Sequence, residues 1–459
     1  NEIHFVDEIS NYNFSEKQSI KLGKIMGYGT RRIVNFDTCV SDLCTYGLNY
    51  LFDNNLLVKD SFQALPIKTD YKASNHINGL APHFRERLRM WLSDWARSNI
   101  NLSTGEPYNI YKDGLKVYTT IDSRMQKHAE DAVHEHLSEW QEEFFKHWKN
   151  RDAWEYYDKY DRESSYAKQN DLLINKIVKQ FQSQDSTLTE SKALDLINTP
   201  REMSIWSHNG LIDTLLSPID SVKYYKMILQ TGLLAVDPHT GYVKAWVGGV
   251  NYKHFQYDMV KQGKRQVGST FKPFVYAAAI DQLHLSPCDT FPKSQITIEA
   301  LKHGNMKPWS PKNSGGNYAG FETLKSALAN SRNTITARLM NEIGPQPVIN
   351  LANSLGVEQK IPAVPSIALG TPDLSVYEMV AAYSTFANQG VYTKPVMVTH
   401  IEDKNGTILF QYTPETKDVL SQEVAYVTVK LMEGVTKFGS GQRLRHSAAK
   451  DQLVYKEIV

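Results

Sequence analysis

Cysteine is scarce, long apolar runs are missing and neither sign of charge prevails; each lack narrows what this chain can be. Cys39, Cys44 and Cys288 are the three cysteines in 459 residues. They are too few and too scattered for a disulfide scaffold or a thiolate zinc cluster. We read them as reduced or buried thiols, a Cys39–Cys44 disulfide being the weaker alternative. No apolar stretch reaches the roughly twenty residues that cross a bilayer, and the start carries no basic, apolar, small-residue export signal. The chain opens on Asn1 without an initiator Met, so a membrane anchor is expected only in a longer, full-length protein. Lys plus Arg total 51 against 50 acidic residues, a formal net charge of +1. Nucleic-acid binding, which needs a concentrated basic footprint, is not expected.

Apolar and aromatic residues are plentiful: 41% hydrophobic, with 25 Tyr, 17 Phe and 8 Trp. Such a chain can offset its conformational entropy by burial, which implies two or three globular domains. Phe84 to Trp95 reads as a helix, and Ile100 to Tyr108, with Gly105 and Pro107, as a loop. After the Asp113-Gly114 turn, Leu115, Val117 and Thr119 alternate with Lys116, Tyr118 and Thr120 as a strand. Asp122 and Ser123 offer N-caps to a long helix whose Met125, Ala129, Val133, Leu137, Trp140 and Phe144 share one face. His134 and His136 point to different helix faces and read as surface residues, not a metal pair. Lys146 to Lys168 reads as an amphipathic arm packed on the body.

At Thr231 the pattern changes. Leu233, Ala235, Val243, Ala245 and Val247 alternate on either side of Pro238-His239-Thr240-Gly241, which predicts a β-hairpin. From Ser269 the period is helical and stays mostly so up to Leu355. Leu374 to Phe386 is helix-rich, and a strand pair is expected around Val391 to Phe410 with its turn at Asp403 to Gly406.

Ser269-Thr270-Phe271-Lys272 has the pattern Ser-x-x-Lys, which also occurs at Ser165 to Lys168 and Ser447 to Lys450. Context separates them. Ser269 follows Gly268 and precedes the apolar run Phe274 to Ile280, so it stands at the start of a buried helix with Lys272 one turn on. A serine hydroxyl needs a nearby base, and Lys272 must be neutral to serve; burial and the positive end of a helix both lower its pKa. A second element, Ser331-Arg332-Asn333, has a decoy in Ser207-His208-Asn209. Ser331 lies where one helical stretch gives way to another, so its hydroxyl could relay a proton while Asn333 holds a substrate amide.

Ser-x-x-Lys followed by Ser-x-Asn is a signature of penicillin-binding proteins and serine β-lactamases. Arg265 to Phe274, Ala235 to Gly241, Trp309-Ser310-Pro311-Lys312-Asn313, Ala368-Leu369-Gly370-Thr371 and Asp113 to Gln126 closely resemble segments of class A, bifunctional penicillin-binding proteins. The wording is most like that of Bacteroides-type bacteria, and the resemblance covers roughly Ala81 to Gln442. It implies an α/β fold of the α+β type, an antiparallel sheet packed with helices. The division it suggests is an N-terminal remnant and linker at 1–110, a strand, long helix and arm at 111–230, and a transpeptidase domain at 231–459. The implied reaction is peptidoglycan D,D-transpeptidation, with Ser269 as nucleophile, Lys272 as base, Ser331 as relay and Asn333 on the substrate. Implied partners are stem peptides, lipid-linked precursor strands and, as covalent inhibitors, β-lactams; the implied place is the periplasmic face of the inner membrane. No metal or organic cofactor is implied. D,D-carboxypeptidase or β-lactamase activity is the enzymatic alternative, and a non-catalytic module binding cell-wall peptide or β-lactam is the other.

Two departures stand out. The family's third motif, Lys-Thr-Gly or Lys-Ser-Gly, occurs nowhere in the sequence. Lys437-Phe438-Gly439 is nearest in spelling but sits in a stretch, Gly434 to Gly441, that resembles the segment before that motif. The family pattern is left near His446, so the sheet is expected to be incomplete at the C-terminus, and the chain as written to be catalytically crippled. Residues 1–80 also lack the context of the family's glycosyltransferase glutamate; 58–75 resemble the downstream linker.

Overall fold

The computed structural model describes residues 79–149 and 162–445, side chains of 162–171 excepted, and an antiparallel pair, Glu2–His4 with Thr30–Arg32. The chain divides into two units, Asn1–Ser74 and Asn75–Val459. That strand pair is all that is described of the first unit; every other described element belongs to the second.

Helix α1 (Pro82–Ser98) starts on a proline, at a position where the missing amide has no intrahelical partner to lose. It is tied down along its first turns. Ala81 N donates to Glu130 Oε1 at 2.7 Å, and His83 Nε2 lies 2.9 Å from Phe255 O. Arg87 Nε meets Asp258 Oδ2 at 3.1 Å, while Trp246 Nε1 donates to Oδ1 of the same carboxylate at 3.2 Å. Asp258 is 3% exposed, and a charge so buried persists because it is paired. Strand β1 (Lys116–Thr119) leads to α2 (Ser123–His147), capped as expected by Asp122, whose Oδ1 accepts from the amides of Arg124 and Met125. Ala129 and Val133 face the core, and His134 and His136 are exposed.

Residues 150–161, within the expected arm, lie outside the described residues. Beyond them α3 (Arg162–Gln184), α4 (Glu190–Asn198), the hairpin β2 (Arg201–Ser207) and β3 (Gly210–Leu216), and α5 (Pro218–Lys226) come in turn. Leu173, Ile177, Ala193, Ile197 and Ile219 give the three helices a small core of their own. Strands β4 (Leu233–Val236) and β5 (Val243–Val247) make the predicted hairpin, with Ala235 opposite Ala245. Among the described residues β4 pairs with no other strand.

The centre of the molecule is α6 (Lys272–Leu283), buried without a break from Lys272 to Ile280. A helix apolar all round needs cover on every side. It comes from α7 (Leu324–Ala329), α8 (Asn333–Ile343), α9 (Pro345–Ser354), α10 (Val376–Ala387) and α11 (Gln422–Lys437), which share one core with it. The expected run of helix from Ser269 to Leu355 breaks at residues 284–323. There α6 stops at His284 in the left-handed region, and the excursion holds a short pair, Thr290–Pro292 with Phe321–Thr323, an antiparallel bridge between Ile298 and Trp309, and a 3-10 turn at Lys302–Gly304. His303 and Asn313 bond from it to α8, while Gln295, Asn305 and Ser310 bond within it. Strands β6 (Val398–Glu402) and β7 (Ile408–Gln411) form the expected pair, and β6 also pairs with β1. Val391–Thr393 is not part of that pair; its partner is Thr416–Asp418. No helix among the described residues is long and apolar enough to cross a membrane.

Candidate active site

Ser269 lies in a 3-10 turn, Gly268–Phe271, that runs directly into α6. Backbone contact fixes this turn. Gly268 N donates to Gly370 O at 2.9 Å and Val267 N to Pro372 O at 3.1 Å. Gly370 has φ +75°, and a Cβ there would stand 1.7 Å from Gly268 O, so only glycine fits. Tyr383 on α10 adds a third hold, its hydroxyl donating to Thr270 O at 2.7 Å. The result presents Ser269 to solvent and buries Lys272, 1% exposed, three residues on. An apolar groove of about 870 Å³ runs between β4, α10 and α11 and meets the turn at Thr270.

Ser331 joins α7 to α8 with φ +53°, an uncommon conformation for a residue with a side chain. It turns carbonyl and hydroxyl the same way. Lys272 Nζ lies 2.7 Å from Ser331 O, 2.8 Å from Ser331 Oγ and 2.7 Å from Asn333 Oδ1. Ser331 Oγ is 3.0 Å from Ser269 Oγ. All four residues singled out in the sequence therefore meet. Asn333 is more committed than a substrate ligand need be, because its Nδ2 donates to Lys312 O at 2.8 Å. One N–H of that amide is left for anything else.

Lys272 has three neutral oxygens as partners. Burial pulls its pKa down from the ordinary 10.5 to about 7. The decoy pair Ser207 and Asn209 sits at the turn of the β2–β3 hairpin, and Asn209 N donates to Ser207 Oγ. Ser165 to Lys168 and Ser447 to Lys450 carry no described side chains. Lys437 ends α11 and pairs with Glu433, and Phe438 caps the helix, so this triplet is not on a strand. The expected loss of a sheet strand concerns the chain from His446 on, outside the described residues. Cys288 is free and exposed, and Cys39 and Cys44 are likewise outside.

Supporting residues escaped the sequence reading. Buried Asn313 accepts from Thr334 N at 3.0 Å and donates to Thr334 Oγ1 at 3.0 Å, which fixes the segment carrying Lys312 against α8. The word Trp309 to Asn313 was legible; its job was not. Tyr383 gave no signal, since it has no distinctive local spacing.

Residues 231–453 match the penicillin binding protein transpeptidase domain, and residues 179–229 the penicillin-binding protein middle domain. This is the class of serine acyltransferases that the fold and the four meeting side chains fit. Penicillin-binding protein 1A of Neisseria flavescens is 27% identical over 402 residues, 78% of this chain and 47% of that protein. Penicillin-binding protein 2D of Bacillus subtilis is 36% identical over 208 residues, 45% of this chain and 30% of that protein. The chain thus spans half or less of the length of these relatives. The crystal structure of penicillin-binding protein 1A from Haemophilus influenzae shares the fold, with TM-score 0.57 and 20% identity over 87% of this chain and 65% of that one. The chain belongs to the penicillin-binding protein family, in line with the class A resemblance of its sequence, and carries that family's middle and transpeptidase domains.

Proposed function

We propose that the intact protein carrying this region cross-links peptidoglycan stem peptides through an acyl-enzyme on Ser269, at the periplasmic face of the inner membrane, and that β-lactams acylate the same serine. The observation that carries this reading is the unbroken path Ser269 Oγ–Ser331 Oγ–Lys272 Nζ, 3.0 and 2.8 Å long. A neutral lysine has two N–H groups and one lone pair. With the N–H groups on Ser331 O and Asn333 Oδ1, the lone pair faces Ser331 Oγ and accepts its proton. Ser331 Oγ in turn accepts from Ser269.

In that direction Ser269 Oγ attacks the penultimate D-alanine carbonyl as its proton passes through Ser331 to Lys272. The C–N bond then breaks, and terminal D-alanine leaves with the proton returned along the same path. An amine of a neighbouring stem peptide attacks the ester, forms the new amide and frees Ser269. Water as the acceptor gives the carboxypeptidase outcome, so products formed with and without an added acceptor amine separate the two.

Ser269→Ala in the intact protein should abolish labelling by a fluorescent penicillin while the melting temperature stays within a few degrees. Undiminished labelling of that variant, with the adduct mapped to Ser165 or Ser447, would sink the assignment.

A further inference from the structure

We infer that Glu322 is a positioning residue for this site: its carboxylate ties together the residues on either side of Ser331 and so holds that serine where its hydroxyl and carbonyl both reach Lys272. Glu322 lies on the short strand Phe321–Thr323, just ahead of α7. Its Oε2 accepts from Arg332 Nε at 2.8 Å, and its Oε1 from Asn330 Nδ2 at 3.1 Å. Ser326 Oγ donates to Oε1 as well, at 2.6 Å, and Asn330 Nδ2 also reaches Ser326 O at 3.1 Å. One carboxylate thus holds the neighbour before Ser331 and the neighbour after it.

The need for such a hold comes from the backbone. A left-handed serine persists only where its surroundings over-determine it. If Ser331 relaxed to negative φ, carbonyl and side chain would swing apart and could not both face one amine. Burial pushes the Glu322 carboxyl pKa up, but hydrogen bonds from Ser326, Asn330 and Arg332 outweigh it and hold the pKa below the usual value. The ion pair with Arg332 is largely shielded, the side chains being 20% and 11% exposed, so it is worth more than a surface pair.

The positioning role rests on the proposed acylation at Ser269, and the experiment separates the two. Glu322→Gln keeps the shape but replaces one accepting oxygen with an N–H donor, so it cannot serve both arms. A crystal structure of the intact protein with Glu322→Gln should show Ser331 out of the left-handed region and its hydroxyl beyond hydrogen-bond reach of Lys272. The acylation constant for a fluorescent penicillin should fall about ten- to a hundredfold, with initial binding little changed. Its pH midpoint should also move lower, because the charged lysine loses acceptors. General destabilisation would instead lower the active fraction at an unchanged midpoint. Arg332→Met, which removes one arm, should give a smaller change of the same kind. Wild-type Ser331 geometry in the Glu322→Gln crystal, or wild-type acylation by both variants, overturns the inference. Wild-type labelling of Ser269→Ala would instead overturn the acylation reading, and the Glu322→Gln crystal would then decide the positioning of Ser331 by itself.

Discussion

Acylation should follow the titration of one buried lysine. Lys272 is 1% exposed and its partners are a carbonyl, a hydroxyl and an amide oxygen, none of them charged. Burial therefore acts unopposed by any carboxylate partner, and its pKa falls to about 7. The difference from 10.5 corresponds to about 5 kcal/mol against the charged form. At pH 7 about half of Lys272 is neutral, against roughly one in three thousand for an ordinary lysine. The neutral fraction climbs from about a tenth at pH 6 to about nine-tenths at pH 8, so the acylation constant should rise about tenfold over that interval and level off above it. Stopped-flow labelling with a fluorescent penicillin between pH 5.5 and 9 measures this directly. A flat profile, or one still rising toward pH 10, would refute the role given to burial. Lys272→Arg, charged at every pH tested, should remove the rising limb altogether.

Two further substitutions probe the turn that carries Ser269. Gly370→Ala sets a Cβ against Gly268 O in a left-handed position; denaturant unfolding should show a loss of more than about 3 kcal/mol, with labelling lost too. Tyr383→Phe removes the hydroxyl bond to Thr270 O. It should cost about 1 kcal/mol in unfolding and slow acylation, and an unchanged acylation constant would show that the turn holds itself.

Where local signals were strong, the sequence was readable. Asp122 ahead of an amphipathic face predicted both the cap and the helix from Ser123, because capping depends on neighbours within three residues. The run Phe274 to Ile280 was read as a buried helix, and α6 buries every one of these residues. Lys272 with Ser331 and Asn333 was legible as a pair of motifs, but not the geometry that commits both ends of the Asn333 amide. That geometry depends on Lys312, which arrives from the irregular excursion at 284–323. Its place is set by Asn313 bonding Thr334, a contact across twenty-one residues that leaves no periodic trace. Val391–Thr393 was misassigned for a similar reason: a three-residue strand takes whichever edge tertiary packing offers, here Thr416–Asp418.

The ties on α1 have a mechanical consequence. Arg87 and the indole of Trp246 share the Asp258 carboxylate, and Trp246 lies on β5. Glu130 on α2 holds the chain one residue before α1 begins. A load applied to the chain just ahead of Ala81 therefore meets no slack in α1. It passes through two charged anchors into the β4–β5 hairpin and the long helix α2, and these parts turn together as one stiff lever.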